Sequence, residues 1–165
     1  SKMIFVVLGT QKFQCNRLLR VVDELVENGT ITEEVYAQRG HSDYTLQHYA
    51  YTDFMDKDSF EEKIGQCSLL ITHSGVGTIL SGIHHCKGVI VFPRLKKYNE
   101  HVDDHQLDIA RAFGKKKLVL VCGEEDSLAE VIKQSADFDF QPYKSRRDKM
   151  LGIIRTFLRE ELHHV

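Results

Sequence analysis

The stretch LLITHSGVGTILSGIHHC, Leu69 to Cys86, constrains the fold more than any other. Leu69, Leu70 and Ile71 form a short, wholly apolar run, the pattern of a parallel strand buried on both faces. Thr72 to Gly77 then turns the chain into a helix predicted over Thr78–His85. A strand that passes through a glycine turn into a helix N-terminus makes an anion seat. The first-turn amides have no intrahelical partner, the helix end carries partial positive charge, and Gly75 and Gly77 put no side chain in the way. The spacing excludes two nucleotide-binding classes. From Gly75, glycines recur at Gly77 and Gly82 with Leu80 in the sixth position, so the dinucleotide fingerprint fails, and no Walker-type loop ending in Lys-Ser or Lys-Thr occurs. A turn that only packs a helix tightly on a strand is the alternative on these residues alone.

The rest of the chain repeats the strand–helix alternation. Met3–Leu8 reads as a strand ending in the polar turn Gly9-Thr10-Gln11. Asn16 is the expected cap of a helix carrying Leu18, Val21, Val22, Leu25 and Val26, which stops at Asn28-Gly29. Glu34–Gln38 is the next strand, 41–52 shows no period and reads as loop, and Asp53–Met55 ends a third strand. Ser59 with Glu62 makes a capping box for a helix through Phe60 and Ile64. Val89–Phe92 is a strand stopped by Pro93, and a helix with Leu107, Ile109, Ala110 and Phe113 ends at Gly114. Leu118–Val121 is the last strand, Ser127 with Glu130 caps a helix, and a long terminal helix over about 144–162 has Leu151, Ile154, Leu158 and Leu162 on one stripe. This pattern predicts an α/β fold over 1–165 as a single domain, with a doubly wound, mostly parallel sheet. Ligands bind beyond the carboxyl ends of such strands, so the loops at Gly9, Phe54, Ser74 and Pro93 are expected to share one site.

Composition narrows the chemistry. A formal net charge of -2 offers no basic field for nucleic acid, and the longest basic run is Lys115–Lys117. Cys15, Cys67, Cys86 and Cys122 lie far apart without zinc spacing and read as reduced thiols of a cytoplasmic protein. No secretory leader is read, and no apolar run reaches the length of a membrane span. His101 and His105 lie one helical turn apart but lack a third ligand at fixed spacing, so no metal is assigned. Asp137-Phe138-Asp139 follows a helix rather than a strand and reads as surface.

Three motifs stand in the order and spacing of one family: VVLGTQ at the start, THSGVGTIL in the middle and NEHVDDHQ after the Pro93 strand. With them the chain resembles the C-terminal, donor-binding domain of family 28 glycosyltransferases, the Rossmann-like C-terminal half of a GT-B enzyme. It is similar in particular to the stand-alone small subunits of two-part N-acetylglucosaminyltransferases and of bacterial PssE-type exopolysaccharide enzymes. The resemblance implies that the Gly9-Thr10 loop and the turn Ser74, Gly75, Val76, Gly77 and Thr78 hold the diphosphate of a UDP-sugar substrate without metal or other cofactor, with Gln11 and His73 also among the substrate-binding residues. It places uracil at Phe54 and Met55, where Phe54 reads equally as core, and the donor sugar at Asn99, Asp104, His105 and Gln106. Asp103 or Asp104 also reads as a helix cap. Ser81 stands where relatives commonly carry a glutamate for the ribose hydroxyls, and serine is a shorter and weaker acceptor.

The resemblance further implies a partner. Two-domain relatives carry the acceptor site, and usually the catalytic base, on an N-terminal domain absent from these residues. A membrane-associated acceptor-domain subunit is therefore expected to recruit the chain peripherally to the membrane, to present a lipid-linked sugar acceptor and to supply the base. The chain is then the donor-binding catalytic subunit of a heteromeric inverting glycosyltransferase; the alternative is a nucleotide-sugar-binding or enhancer subunit that does no chemistry.

Overall fold

Side chains of the first strand alternate between two cores. The computed structural model describes residues 2–140 and 151–157. In it Ile4, Val6 and Leu8 enter one core while Met3, Phe5 and Val7 enter the other, all six buried. A strand buried on both faces belongs in the middle of a sheet, which is where β1 (Met3–Val7) lies. After it come α1 (Asn16–Glu27), β2 (Glu34–Gln38), β3 (Ala50–Thr52), α2 (Lys57–Gln66), β4 (Leu69–Thr72) and α3 (Val76–His84). Then follow β5 (Gly88–Val91), α4 (His105–Lys115), β6 (Leu120–Val121) and α5 (Leu128–Asp137). The six strands form one sheet in the order β3-β2-β1-β4-β5-β6, with every neighbouring pair parallel.

Leu18, Leu19 and Val22 of α1 and Leu128 and Val131 of α5 cover one face of this sheet. Ile64 of α2, Ile79 and Ile83 of α3, and Ile109 and Phe113 of α4 cover the other. The doubly wound α/β expectation is met. Connections run outward from β1 in one direction and from β4 in the other, so the loops at the carboxyl ends of these two paired strands part and leave a crevice between them.

Several local expectations are corrected. Asn16 does not cap α1: its side-chain oxygen accepts from the amides of Asp43 (3.1 Å) and Tyr44 (3.0 Å). Buried Asp23 accepts from Tyr44 Oη and from the amides of Gln47 and His48. These two side chains hold 41–49 as an ordered crossover, and β3 emerges from its end as a short edge strand with little burial and so little pattern to read. α2 begins earlier than its capping box suggests, because Asp56, not Ser59, is the cap and accepts from the Ser59 amide at 2.8 Å. Ser127 does cap α5 as expected. Gly114 lies inside α4, where it gives Val121 room. Residues 151–157 are helical, but Ile153 and Phe157 are the buried positions and Leu151 is exposed; the rest of the predicted 144–162 helix lies outside the described residues.

Two helical glycines should respond oppositely to alanine. A Cβ on Gly82 would lie 2.7 Å from Leu70 Cδ2 and 2.8 Å from Val89 Cγ2, whereas one on Gly65 would meet nothing within 4 Å. Gly82→Ala is expected to lower the unfolding free energy by about 1–3 kcal/mol. Gly65→Ala should raise it by about 0.5–1 kcal/mol. Urea denaturation of both variants checks the pair.

Candidate functional site

At the crevice, α3 begins on Gly75 with no side-chain cap. Its first internal bond runs from the Ile79 amide to the Gly75 carbonyl, which leaves the amides of Val76, Gly77 and Thr78 directed outward at the positive end of the helix. Ser74, just before the turn, is buried, and its hydroxyl, like that of Thr72 at the end of β4, has no hydrogen-bond partner among the described residues. Buried hydroxyls are ordinarily satisfied. Gly77 is exposed and a Cβ there would enter open space, so the first turn of α3 is accessible.

His73 lies beneath both glycine loops. A Cβ on Gly75 would fall 2.6 Å from His73 Nε2, and one on Gly9 closer still; Gly9 moreover has φ +74, which disfavours side chains. Two donors face Nδ1: Arg94 Nε at 3.4 Å and Gln106 Nε2 at 3.3 Å. Nδ1 therefore accepts, and the proton belongs on Nε2, between the loops. Burial, reinforced by the Arg94 charge, pushes the imidazole pKa down to about 3, so His73 is a neutral N–H donor rather than a base.

Arg94, only 1% exposed, ties the site loops together. Its guanidinium donates to the carbonyls of Phe13 (2.8 Å), Gln14 (2.9 Å) and Glu100 (3.4 Å) and to that of Leu8. Loops from β1 and β5 and the side chain after β4 thus share one cation. Glu100, also 1% exposed, is held by Arg17 through paired contacts of 3.0 and 2.9 Å and accepts from the Leu95 amide. Farther out, Tyr98 Oη donates to Glu124 at 2.7 Å and Lys97 pairs with the same carboxylate, joining the β5 and β6 loops.

The sequence-predicted residues divide into groups. Gly9, Thr10 and Gln11 form the β1 side of the crevice, opposite His73–Thr78. Phe54, 47% exposed, is not core; it meets His41 edge to face at 5.1 Å and, with Met55, Tyr36, Thr52, Ser59 and Lys63, lines a cavity of about 540 Å³. The Met55 amide already donates to Gln38. Three strand spacings, roughly 14 Å, separate the β3 end from the β4 turn, a gap for an extended ligand rather than a lone phosphate.

Asn99 is exposed in a left-handed conformation, and Asp104 accepts from the Lys96 amide. The His105 ring meets Phe157 at 5.4 Å. Asp103, not Asp104, receives the His105 amide. Gln106 is buried, and its oxygen accepts from the Ser74 and Arg94 amides at 3.2 and 3.1 Å. Ser81 Oγ donates to Glu61 of α2 at 3.1 Å, and the other oxygen of that carboxylate meets His85 Nε2 at 2.8 Å. Sequence reasoning missed Arg94, Glu100 and Arg17. The available signal was an arginine directly after a buried strand and Pro93, where an apolar or turn residue is the ordinary choice.

An all-parallel sheet with an uncapped helix and a glycine turn at its switch point is a Rossmann-like α/β domain, and solved glycosyltransferase structures share this fold. The glycotransferase of kitacinnamycin superposes with TM-score 0.58 at 14% identity, over 94% of this chain and 38% of that one. The NMR solution structure of ALG13 superposes with TM-score 0.56 at 20% identity, over 87% and 89%. The chain belongs to the glycosyltransferase family 28 C-terminal domain family, whose profile matches residues 3–155. It is 26% identical over 136 residues to the UDP-N-acetylglucosamine transferase subunit ALG13 of Mus musculus, covering 73% of this chain and 11% of that protein. To the subunit of the same name from Yarrowia lipolytica it is 25% identical over 111 residues, covering 66% and 53%. The chain thus spans about a tenth of one relative and about half of the other.

The buried neutral histidine has a consequence for stability. Its native pKa lies below the ordinary 6.5, so between the two values the unfolded chain binds the extra proton. The stabilisation is complete above about 6.5 and is lost as pH falls toward about 3, with a limiting slope of about 1.4 kcal/mol per pH unit. His73→Gln should flatten this limb relative to wild type in urea titrations at pH 4, 5 and 7.

Proposed function

We propose that this chain is the donor-binding catalytic subunit of a heteromeric inverting glycosyltransferase. It moves a hexose-type sugar from a UDP-sugar to a lipid-linked acceptor in glycan or polysaccharide synthesis. The observation that carries the reading is the orphan Ser74 hydroxyl beside the open amides of α3, with the His73 Nε2–H between the same loops. These are neutral donors and a helix dipole, arranged for the diphosphate and for the charge that grows on departing UDP. The relatives' names, each a UDP-N-acetylglucosamine transferase subunit, support the donor class and a partner.

In this reading the uracil lies toward Phe54 and Met55, and Thr10 and Gln11 close over the phosphates from the β1 side. Asn99, Asp104 and His105 form the rim toward the sugar, while Gln106 sets the Ser74 amide from below. Ribose hydroxyls, which Ser81 alone would meet weakly, find the Glu61 carboxylate bound to it. An acceptor hydroxyl forms its bond to the anomeric carbon as the bond from that carbon to the β-phosphate oxygen breaks, with inversion. The pair of electrons leaves on UDP, and the hydroxyl proton goes to a base. His73 is held neutral with its proton on the ligand side, which favours a base on the partner subunit. No helix among the described residues is long and apolar enough to cross a membrane. Recruitment from the cytoplasm to the membrane is accordingly assigned to that partner.

Calorimetric titration with UDP and with its glucose, galactose, N-acetylglucosamine and glucuronate conjugates, with and without magnesium, tests the reading. Magnesium-independent binding improved by one sugar is expected; no binding to any of them overturns it. Ser74→Ala separates a ligand contact from a packing role. Removal of an unsatisfied hydroxyl should leave stability unchanged or slightly higher, while UDP affinity falls about tenfold or more.

A further inference from the structure

The loops after β1 and β5 touch although their strands do not. β4 lies between the two strands, which leaves them two strand spacings, roughly 10 Å, apart. Arg94 spans the gap from one side, through the carbonyls of Phe13 and Gln14. Gln14 spans it from the other, giving its Nε2 to the carbonyls of Tyr98 (3.0 Å) and Asn99 (3.3 Å). Arg17, in the first turn of α1, is a third tie. Its Nε and Nη2 reach the two Glu100 oxygens at 3.0 and 2.9 Å, and Nη2 also donates to the Pro93 carbonyl at 3.2 Å. The guanidinium rests on the rings of Phe92 and Tyr98, 4.3 and 4.9 Å from their centroids.

Glu100 converts this tie into a loop shape. Its Oε1 accepts the Leu95 amide, and its own amide donates back to the Leu95 carbonyl at 3.2 Å, so residues 95–100 close on themselves. Within that turn Asn99 takes the left-handed conformation, φ 58, with its amide on the Lys96 carbonyl at 2.9 Å. Asparagine accepts such a backbone more readily than most residues. The two successive side chains meet opposite surroundings: Glu100 is buried, while Asn99 is exposed. The buried carboxylate–guanidinium pair therefore fixes where the exposed amide stands. Lysine would not do the same, since a point charge cannot engage both carboxylate oxygens and a carbonyl in one plane.

The sheet order decides which end of a ligand meets this turn. With a diphosphate at the start of α3 and a base toward Phe54 at the end of β3, the group on the second phosphate extends the other way, over β5. After the buried run 89–95, the first exposed residues there are 96–99. We propose that Arg17, acting through Glu100, is a positioning residue for the donor: it fixes the turn that presents Asn99 to the sugar beyond the second phosphate. The inference rests on the diphosphate reading of the α3 turn.

The test is calorimetry of the chain with UDP and with UDP-N-acetylglucosamine, which separates the sugar's share of binding from the nucleotide's. Arg17→Lys keeps the charge and loses the fork. Arg17→Met/Glu100→Gln removes both charges together, so that neither is left buried alone, and keeps an oxygen for the Leu95 amide. In each, affinity for UDP-N-acetylglucosamine should fall about tenfold while that for UDP stays within about twofold. A merely structural part would lower both together. Asn99→Gly, which keeps the left-handed backbone, should show the same selective loss, and Arg17→Lys added to it should cost little more, because the two act in series. Equal losses for both ligands, no loss for either, or full additivity with Asn99→Gly overturns the positioning role and leaves the diphosphate seat standing. So does a wild type that binds UDP but not the sugar nucleotide, which has no sugar subsite to set. Failure of wild type to bind either ligand overturns the donor reading as well.

Discussion

One buried guanidinium sets the shape of the ligand edge. Arg94 leaves the end of β5 and spends its donors on carbonyls of the β1 loop and of its own loop and on the histidine after β4. Burial pulls its pKa below the ordinary arginine value, and the arrangement is tolerable because carbonyl dipoles surround the cation and Glu100 lies near it. A lysine could not serve as many acceptors from one position. The crevice that the strand order opens between β1 and β4 is thus held at a particular width, and the glycines on either side of His73 occupy the space that this width leaves.

The same cation explains the character of the seat. A histidine wedged between two backbones and facing a guanidinium cannot ionise, so what it offers a ligand is a fixed neutral N–H. Gln106 completes the arrangement from below by fixing the amides of Ser74 and Arg94 on one oxygen. Donors held in this way need no reorganisation when charge develops in front of them. Among the described residues the Ser74 hydroxyl, like that of Thr72, is buried without a partner.

Much of the architecture was legible because burial imposes period. Leu69–Ile71 and Met3–Leu8 are continuous apolar runs, and such runs have few places to go except the centre of a parallel sheet. The glycine turn was legible for the same kind of reason, since glycine is demanded where backbone must approach closely, as Gly75 does to His73. Less legible were features whose partners lie far off in sequence. Asn16 has the chemistry of a cap but serves a loop 27 residues away, and Asp23 does likewise. The edge strand β3 buries too little to carry a pattern, and of the terminal stripe Ile154 packs against the core that Ile153 and Phe157 enter while Leu151 is exposed. Gln106, read as a sugar contact from its motif, faces inward because α4 buries it at the same turn that buries Ile109 and Ala110.

Local order along the chain therefore determined the strand–helix alternation, the parallel sheet and the position of the glycine turn before α3, since each depends on neighbouring residues and a repeating pattern of burial. Only the tertiary structure decided which polar side chains face a ligand and which are consumed in holding the loops that do. Arg94, His73, Gln106 and Glu61 are placed by groups brought together from distant parts of the chain. Hydrogen-bond partnership and desolvation are properties of that assembled neighbourhood, and no spacing in the sequence encodes them.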